Sequence, residues 1–293
     1  MQSDEPVLRI YEIGAGNGTL CNAILDRIKG KGRSVEYSII EASHSMHRQQ
    51  KRNIRHAVNL HNCSFLDITI SDSRPCFVLA FEVLDNLSHD IIKFDDDGDL
   101  LEGHVLENEK AEWGEEKWTL DFEKAKDPLI IDYINLLDKF DFEFKSLKWS
   151  PLKSLEQYFV YSYPWSNEFI PTSQLAFLNK LNRFPNHKLI LSDFDSLNSD
   201  IKGHGAPIVQ TVLEKQTVQS SKLLVQPGKF DIFFPTDFSV LQKMYREICK
   251  KDSEIISHRD AMKRYADYSQ TRLKDGTNPL LEEYQNVKFL LGA

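Results

Sequence analysis

The sequence predicts an α/β domain, a mostly parallel sheet with helices on both faces. Three observations point there. Residues 7–13 read as a buried strand, 35–40 as a second strand, and 76–81 as a hydrophobic run bounded by Pro75. Segments with helical periodicity, at 19–29 and 43–56, separate them. A glycine-rich loop, Gly14-Ala15-Gly16-Asn17-Gly18, joins the first strand to the first helix. Strand, helix, strand, helix, strand is the rhythm of a doubly covered parallel sheet.

Residues 7–13 form the first strand. In 19–29, Leu20, Ala23, Ile24 and Ile28 share one face, and Gly30 and Gly32 stop the helix. The second strand, 35–40, ends at Glu41. A helix over 43–56 follows, then a short strand at 61–66 before Asp67, then the run 76–81 after Pro75. Residues 95–127 hold 13 Asp or Glu against four Lys, with Gly98, Gly103 and Gly114 interspersed. They read as an exposed hairpin insertion with Trp113 and Trp118 on alternating strands. It is either a solvated flap or a docking surface for a basic partner.

A helix over 129–140 is followed by a mixed stretch that Pro164-Trp165 breaks. Pro171-Thr172 begins a helix over 172–183. Residues 187–192 form a strong strand, with further strand candidates at 206–213, 223–225 and 231–234. A helix over 237–250 is capped by Thr236 or Asp237. Residues 280–285 read as helical and 287–291 as a final strand. There is no internal repeat and no long linker. We expect one domain over 1–293 with lid-like insertions near 95–128 and 145–185.

Composition narrows the classes. The net charge is −8, from 36 basic and 44 acidic side chains. Such a chain has no charge excess for displacing counterions from phosphates, so general nucleic-acid binding is not expected. No apolar run reaches the ~18 residues of a membrane-spanning helix. The four cysteines (Cys21, Cys63, Cys76, Cys249) show no CxxC spacing and read as reduced thiols. His44, His47, His56 and His61 cluster in sequence, but no carboxylate or cysteine completes a set at ligand spacing, so no metal is expected. The N-terminus is acidic and not amphipathic, unlike a signal or transit peptide. The chain enters its first strand almost at once, which leads us to expect a lost N-terminal segment.

The informative motif is Glu12-Ile13-Gly14-Ala15-Gly16-Asn17-Gly18-Thr19-Leu20. Its glycines follow GxGxG spacing. The third glycine of a dinucleotide loop would fall on Thr19, and the GK[ST] of a P-loop is absent. Glu12 would repel a pyrophosphate but attract the amino group of a methionine tail. Glu41, at the end of the second strand, is placed to accept hydrogen bonds from ribose hydroxyls. Asp67 could receive the exocyclic amine of adenine, or act as a helix cap or turn residue. Together these residues describe a pocket for S-adenosylmethionine.

Residues 12–20 resemble the first motif of the MidA-type methyltransferases, which include a mitochondrial complex I assembly factor that methylates arginine. Leu79-Ala-Phe-Glu-Val-Leu-Asp-Asn-Leu-Ser88 is similar to the family's Asn/His-Glu-Phe-Phe-Asp-x-Leu-Pro segment. Gly228-Lys-Phe-Asp-Ile-Phe-Phe-Pro-Thr-Asp-Phe-Ser239 is similar to its Gly-x-x-Asp-Leu-Thr-x-x-Val-Asp-Phe segment. Phe81, Ser88 and the Phe at 233 or 234 depart from the pattern. The resemblance implies a Rossmann-like class I methyltransferase with a seven-stranded sheet whose last strand is antiparallel. It also implies S-adenosylmethionine as cofactor, arginine of a protein (a respiratory-complex subunit) as acceptor, and mitochondria as location.

Glu82 and Asp85 follow the strand at 76–81, at the edge where parallel sheets place ligands. They are the expected clamp for a guanidinium, which carboxylates orient by paired hydrogen bonds. Asn86 is a weaker candidate. The alternative is that Asp85 caps the next helix and Glu82 lies on the surface. Asp193 and Asp195 end the strand at 187–192, either as caps or on the ligand edge. Tyr158, Tyr161, Tyr163 and Trp165 form an aromatic group that reads as core or lid rather than as a recognition cage. A rival to the enzyme reading is a catalytically weak or inactive assembly factor that keeps the fold. Phe81, Ser88 and the acidic insertion favour it.

Overall fold

The computed structural model describes residues 7–95, 97–109, 117–140, 142 and 167–293. Trp113, the aromatic group at 158–165 and most of the expected insertion at 145–185 lie outside them. The chain divides into two compact units. The first comprises 1–85, 176–196 and 236–293, the second 86–175 and 197–235.

The first unit is built on a seven-stranded sheet. Its strands are β1 (Leu8–Ile13), β2 (Val35–Ile40), β3 (Asn59–His61), β4 (Cys76–Phe81), β9 (His187–Phe194), β13 (Ser253–Ser257) and β14 (Val287–Gly292). The spatial order is β13-β14-β9-β4-β1-β2-β3. The pairs β1–β2, β1–β4, β2–β3 and β4–β9 are parallel, whereas β14 runs antiparallel to both neighbours. The last four residues of β1 and of β2 are all buried, as expected of strands covered on both faces.

Helix α1 (Thr19–Lys29) packs Cys21 and Leu25 against Ile10, Tyr37, Ile39 and Leu79 of the sheet. It ends at Gly30, with Arg27 and Lys29 in the last turn, where cations complement the exposed carbonyls. Helix α2 (His44–Asn53) is capped by Ser43, whose side chain accepts from the Met46 N–H. Helix α5 (Phe238–Cys249) is capped by Asp237, one of the two expected caps. Its Tyr245, fully buried, hydrogen-bonds His187 on β9 at 2.9 Å. A helix α6 (His258–Tyr265) and strand β13, both absent from the sequence reading, follow it.

The second unit holds two small antiparallel sheets. One is ordered β7-β6-β5-β8, from β5 (Asp90–Phe94), β6 (Leu100–Glu107), β7 (Trp118–Lys124) and β8 (Glu168–Ile170). The other is β11-β10-β12, from β10 (Ile208–Leu213), β11 (Gln216–Gln219) and β12 (Asp231–Phe233). Ile91, Phe169, Ala206 and Phe234 form its core. Helix α3 (Pro128–Asp138) starts at the cap Asp127. The division between units falls within α4 (Thr172–Leu181).

Several expectations are corrected. The strand expected at 61–66 is β3 at Asn59–His61 followed by a 3-10 turn, Phe65–Asp67, because the Ser64 hydroxyl accepts from Leu66 N–H and curls the chain. No strand forms at 223–225; β11 pairs with β10 instead across a turn in which Glu214 and Lys215 take positive φ. The later strand candidates 206–213 and 231–234 join this separate sheet and not the main one.

Candidate functional site

Strand order determines where a ligand can sit. From β1 the chain runs outward through β2 and β3, then returns to β4 on the other side of β1. Such a reversal opens a crevice at the carboxyl ends of the two strands. Two connections emerge there, residues 14–18 after β1 and 82–85 after β4. They meet, since a Cβ built on Gly14 would lie 2.9 Å from Val83 Cγ2.

Gly14, Gly16 and Gly18 have φ of +65°, +53° and +85°, a region that side chains disfavour. Their surroundings differ. A Cβ on Gly18 would meet Ile54 Cγ1 at 2.7 Å, whereas one on Gly16 would meet nothing within 4 Å. Gly14 and Gly18 therefore answer to packing inside the protein, and Gly16 faces open space. Asn17 Oδ1 accepts from the Thr19 amide and hydroxyl, at 3.1 and 2.6 Å, and so shapes the loop at the start of α1.

Glu12 is buried at the end of β1 and accepts from the Tyr37 hydroxyl at 2.7 Å. Burial pushes its carboxyl up, and that hydrogen bond opposes the rise. Glu41 lies just beyond β2, also buried. Its Oε1 accepts from Ser43 N at 2.8 Å and its Oε2 from Gln50 Nε2 at 3.1 Å. The same Gln50 Nε2 donates to the Gly16 carbonyl at 2.8 Å. Gln50 thus ties Glu41 to the glycine loop, a role sequence reading missed. The only available signal was a glutamine on the buried face of α2. Gln50 Oε1 and His47 Nδ1 are buried without hydrogen-bond partners. Burial, the first cause, pulls the His47 imidazole below its ordinary range. Asp67 is exposed at the end of the 3-10 turn after β3.

The other wall is the segment 82–85. Glu82 is exposed and holds φ +52°, unusual for a residue with a side chain. Asp85 is 2% exposed, in the middle of the 3-10 turn Leu84–Asn86. This turn is held from β9. Asp193, fully buried, accepts through Oδ2 from Val83 N, Leu84 N and Asp85 N at 3.2, 2.7 and 3.2 Å. Its Oδ1 accepts from Phe194 N at 2.8 Å. Burial first, then the charge of Asp85, raises the Asp193 carboxyl to about 7, with backbone N–H groups opposing. Asp193 therefore caps a turn far away in sequence. Asp195 pairs with Lys288 at 2.6 Å and accepts from the Ser196 hydroxyl at 3.4 Å.

These residues fit an adenosyl–methionine ligand. Gly16 leaves room at the loop, Gln50 and His47 offer unsatisfied polar atoms beside Glu41, and no basic cradle for a pyrophosphate lines the loop among the described residues. An apolar cleft of about 780 Å³ lies elsewhere in the same unit. It is lined by Phe77 and Leu189, near the starts of β4 and β9, with Met262 and Tyr265 of α6, and it shares no residue with the glycine loop.

The sheet order and the loop define a methyltransferase-like α/β unit. A Burkholderia thailandensis protein crystallised with S-adenosyl-homocysteine shares this fold, with a TM-score of 0.63 at 13% identity, over 98% of this chain and 71% of that one. Residues 1–257 match the family described as "Putative S-adenosyl-L-methionine-dependent methyltransferase", and the chain belongs to that family. The cofactor of that family is S-adenosylmethionine. The chain is also 23% identical over 226 residues to the Schizosaccharomyces pombe "Protein arginine methyltransferase NDUFAF7 homolog, mitochondrial", covering 69% of this chain and 46% of that protein. The chain thus spans about half the length of this curated relative. Among the described residues, no helix is long and apolar enough to cross a membrane.

Glu41→Ala provides a test of the ribose side. Sequence alone assigns Glu41 no structural work, but its two hydrogen bonds to Ser43 and Gln50 do some. Titration calorimetry should show S-adenosylhomocysteine binding weakened by about tenfold or more, and ligand-free stability should fall by about 1–3 kcal/mol. Unchanged affinity would remove Glu41 from the pocket.

Proposed function

We propose that this protein methylates an arginine side chain of a protein substrate in mitochondria. Glu12, Gly14, Gly16, Gly18, Glu41 and Asp67 hold the cofactor, and Glu82 and Asp85 hold the guanidinium. The observation that supports this reading is the turn 82–85, which carries Glu82 and Asp85, is held by Asp193 and meets the glycine loop through Val83. The name of the curated relative and the motif resemblance support the acceptor and the location.

When bound, S-adenosylmethionine supplies an electrophilic methyl group on a sulfonium. This chain's residues then need to hold the acceptor nitrogen in line with it. Glu82 is exposed, so the guanidinium reaches it directly and is oriented by paired N–H···O bonds. Asp85 adds a second negative charge from its buried position. As the N–C bond forms the methyl–sulfur bond breaks, with S-adenosylhomocysteine as leaving group, and the proton that the nitrogen loses passes to the Glu82 carboxylate and on to water.

Glu82→Gln and Asp85→Asn keep shape and remove charge. In a labelled methyl-transfer assay on arginine-containing mitochondrial protein, each should lower transfer by on the order of 10². Affinity for S-adenosylhomocysteine should stay at the parent value. Binding lost together with activity would place these residues in the cofactor pocket instead. A parent protein that binds the cofactor but transfers no methyl would favour the assembly-factor reading.

A further inference from the structure

We propose that Glu102, His104 and Glu123 form a binding site for a divalent transition-metal ion of the zinc type. The site lies wholly within the second unit, on the sheet β7-β6-β5-β8. On β6, residues 102 and 104 share one face, by the two-residue period of a strand. Register sets Glu123 opposite Glu102 and Asp121 opposite His104. The other face is apolar, since a Cβ on the intervening Gly103 would press on Ile91, Leu120 and Phe122. The polar face thus gathers one imidazole and three carboxylates from two adjacent strands.

Distances fit a shared ion. His104 Nε2 lies 3.3 Å from Glu102 Oε1 and 3.2 Å from Glu123 Oε1, and one ligand atom from each of the three lies within 4.8 Å of the others. Bonds of about 2.0–2.2 Å to a common ion place neighbouring ligand atoms about 3.0–3.5 Å apart. His104 Nε2 is buried, yet it makes no well-formed hydrogen bond with either carboxylate. A buried ring nitrogen set between two carboxylate oxygens is the arrangement an ion would complete.

The surroundings orient the ligands. Glu102 is 6% exposed, and its Oε2 accepts from Lys126 N and Asp127 N at 3.1 and 3.0 Å, turning Oε1 towards His104. A depression of about 380 Å³ lined by His104, Asp121 and Glu123 gives solvent access for a fourth ligand. An imidazole with carboxylates favours zinc or a similar ion over magnesium or calcium, which prefer all-oxygen sets.

The sequence expectation of no metal rested on the histidines at 44–61. The present set escapes linear spacing because its third member comes from the partner strand.

The test is calorimetric titration of zinc chloride into the metal-stripped full chain at neutral pH. One ion should bind per chain. His104→Ala should weaken it at least tenfold, and Glu123→Gln likewise. Cys63→Ser, outside the set, should leave it unchanged. Both test positions are partly exposed, so the variants should fold, and circular dichroism checks this. No saturable binding by the parent would overturn the proposal. So would binding that survives both substitutions, with His104 then serving as a cation between Glu102 and Glu123.

Discussion

Gly16→Val should abolish cofactor binding in a protein that still folds. Nothing within 4 Å surrounds a Cβ at this position, so the native packing can take the side chain, and the cost to folding is the positive φ of 53°. That strain is on the order of 1–3 kcal/mol. The added isopropyl group would stand in the space that the loop leaves open. Calorimetry with S-adenosylhomocysteine should show binding to the parent and at least a 100-fold loss in the variant. Gly18→Ala makes the contrast. Its methyl would lie 2.7 Å from Ile54 Cγ1, so the melting temperature should fall even without ligand. Equal cofactor affinity in Gly16→Val and the parent would sink the pocket assignment.

Asp193→Ala should be the most damaging change on the acceptor side. It strips the partner from three backbone N–H groups of the turn 83–85 in a site with no solvent access. Unsatisfied buried donors cost about 1–3 kcal/mol each. A stability loss of about 3 kcal/mol or more, with methyl transfer down by over 10², is the expected outcome. The pH dependence separates charge from shape. Between about pH 4 and pH 7 the folded chain keeps a proton on Asp193, raised to about 7 chiefly by burial, that the unfolded chain has released. The stability this proton contributes is fully present below the ordinary carboxylate range and is lost as pH rises through about 7. The ligand-free melting temperature should therefore fall across that window in the parent. Asp193→Asn cannot ionise and should flatten the fall. A parent profile that stays level would rule out a neutral Asp193.

The parallel half of the main sheet was readable from sequence because its strand segments at 7–13, 35–40 and 76–81 are separated by segments of helical periodicity and bounded by glycines or Pro75. Helix α1 matches its expected bounds of 19–29, since glycines punctuate both ends. Strand β13 was not readable. Ser253-Glu-Ile-Ile-Ser257 has a half-buried pattern too short to separate from a loop until β14 supplies its partner. The second unit was read in separate pieces, an acidic insertion, a helix over 129–140 and strands at 206–213 and 231–234, because its core joins Ile91 and Phe169 to Ala206 and Phe234 across a distance that no local window contains. At the site, the glycines and the strand-end carboxylates follow from local spacing. Gln50 and the Asp193 cap do not, because each works on backbone distant in sequence.

Strand β14 is the last in sequence, yet it lies between β9 and β13. During synthesis the sheet cannot close until Val287–Gly292 has left the ribosome. Until then β9 presents an open edge, and β13, which pairs in this sheet with β14, has no neighbour. The two units are also interleaved, so neither is finished before the other has begun. Until β14 is made, β9 and β13 therefore hold unpaired strand edges, the condition under which strands recruit the wrong partners. That interval of synthesis is the one in which a chaperone would shield this chain's open edges.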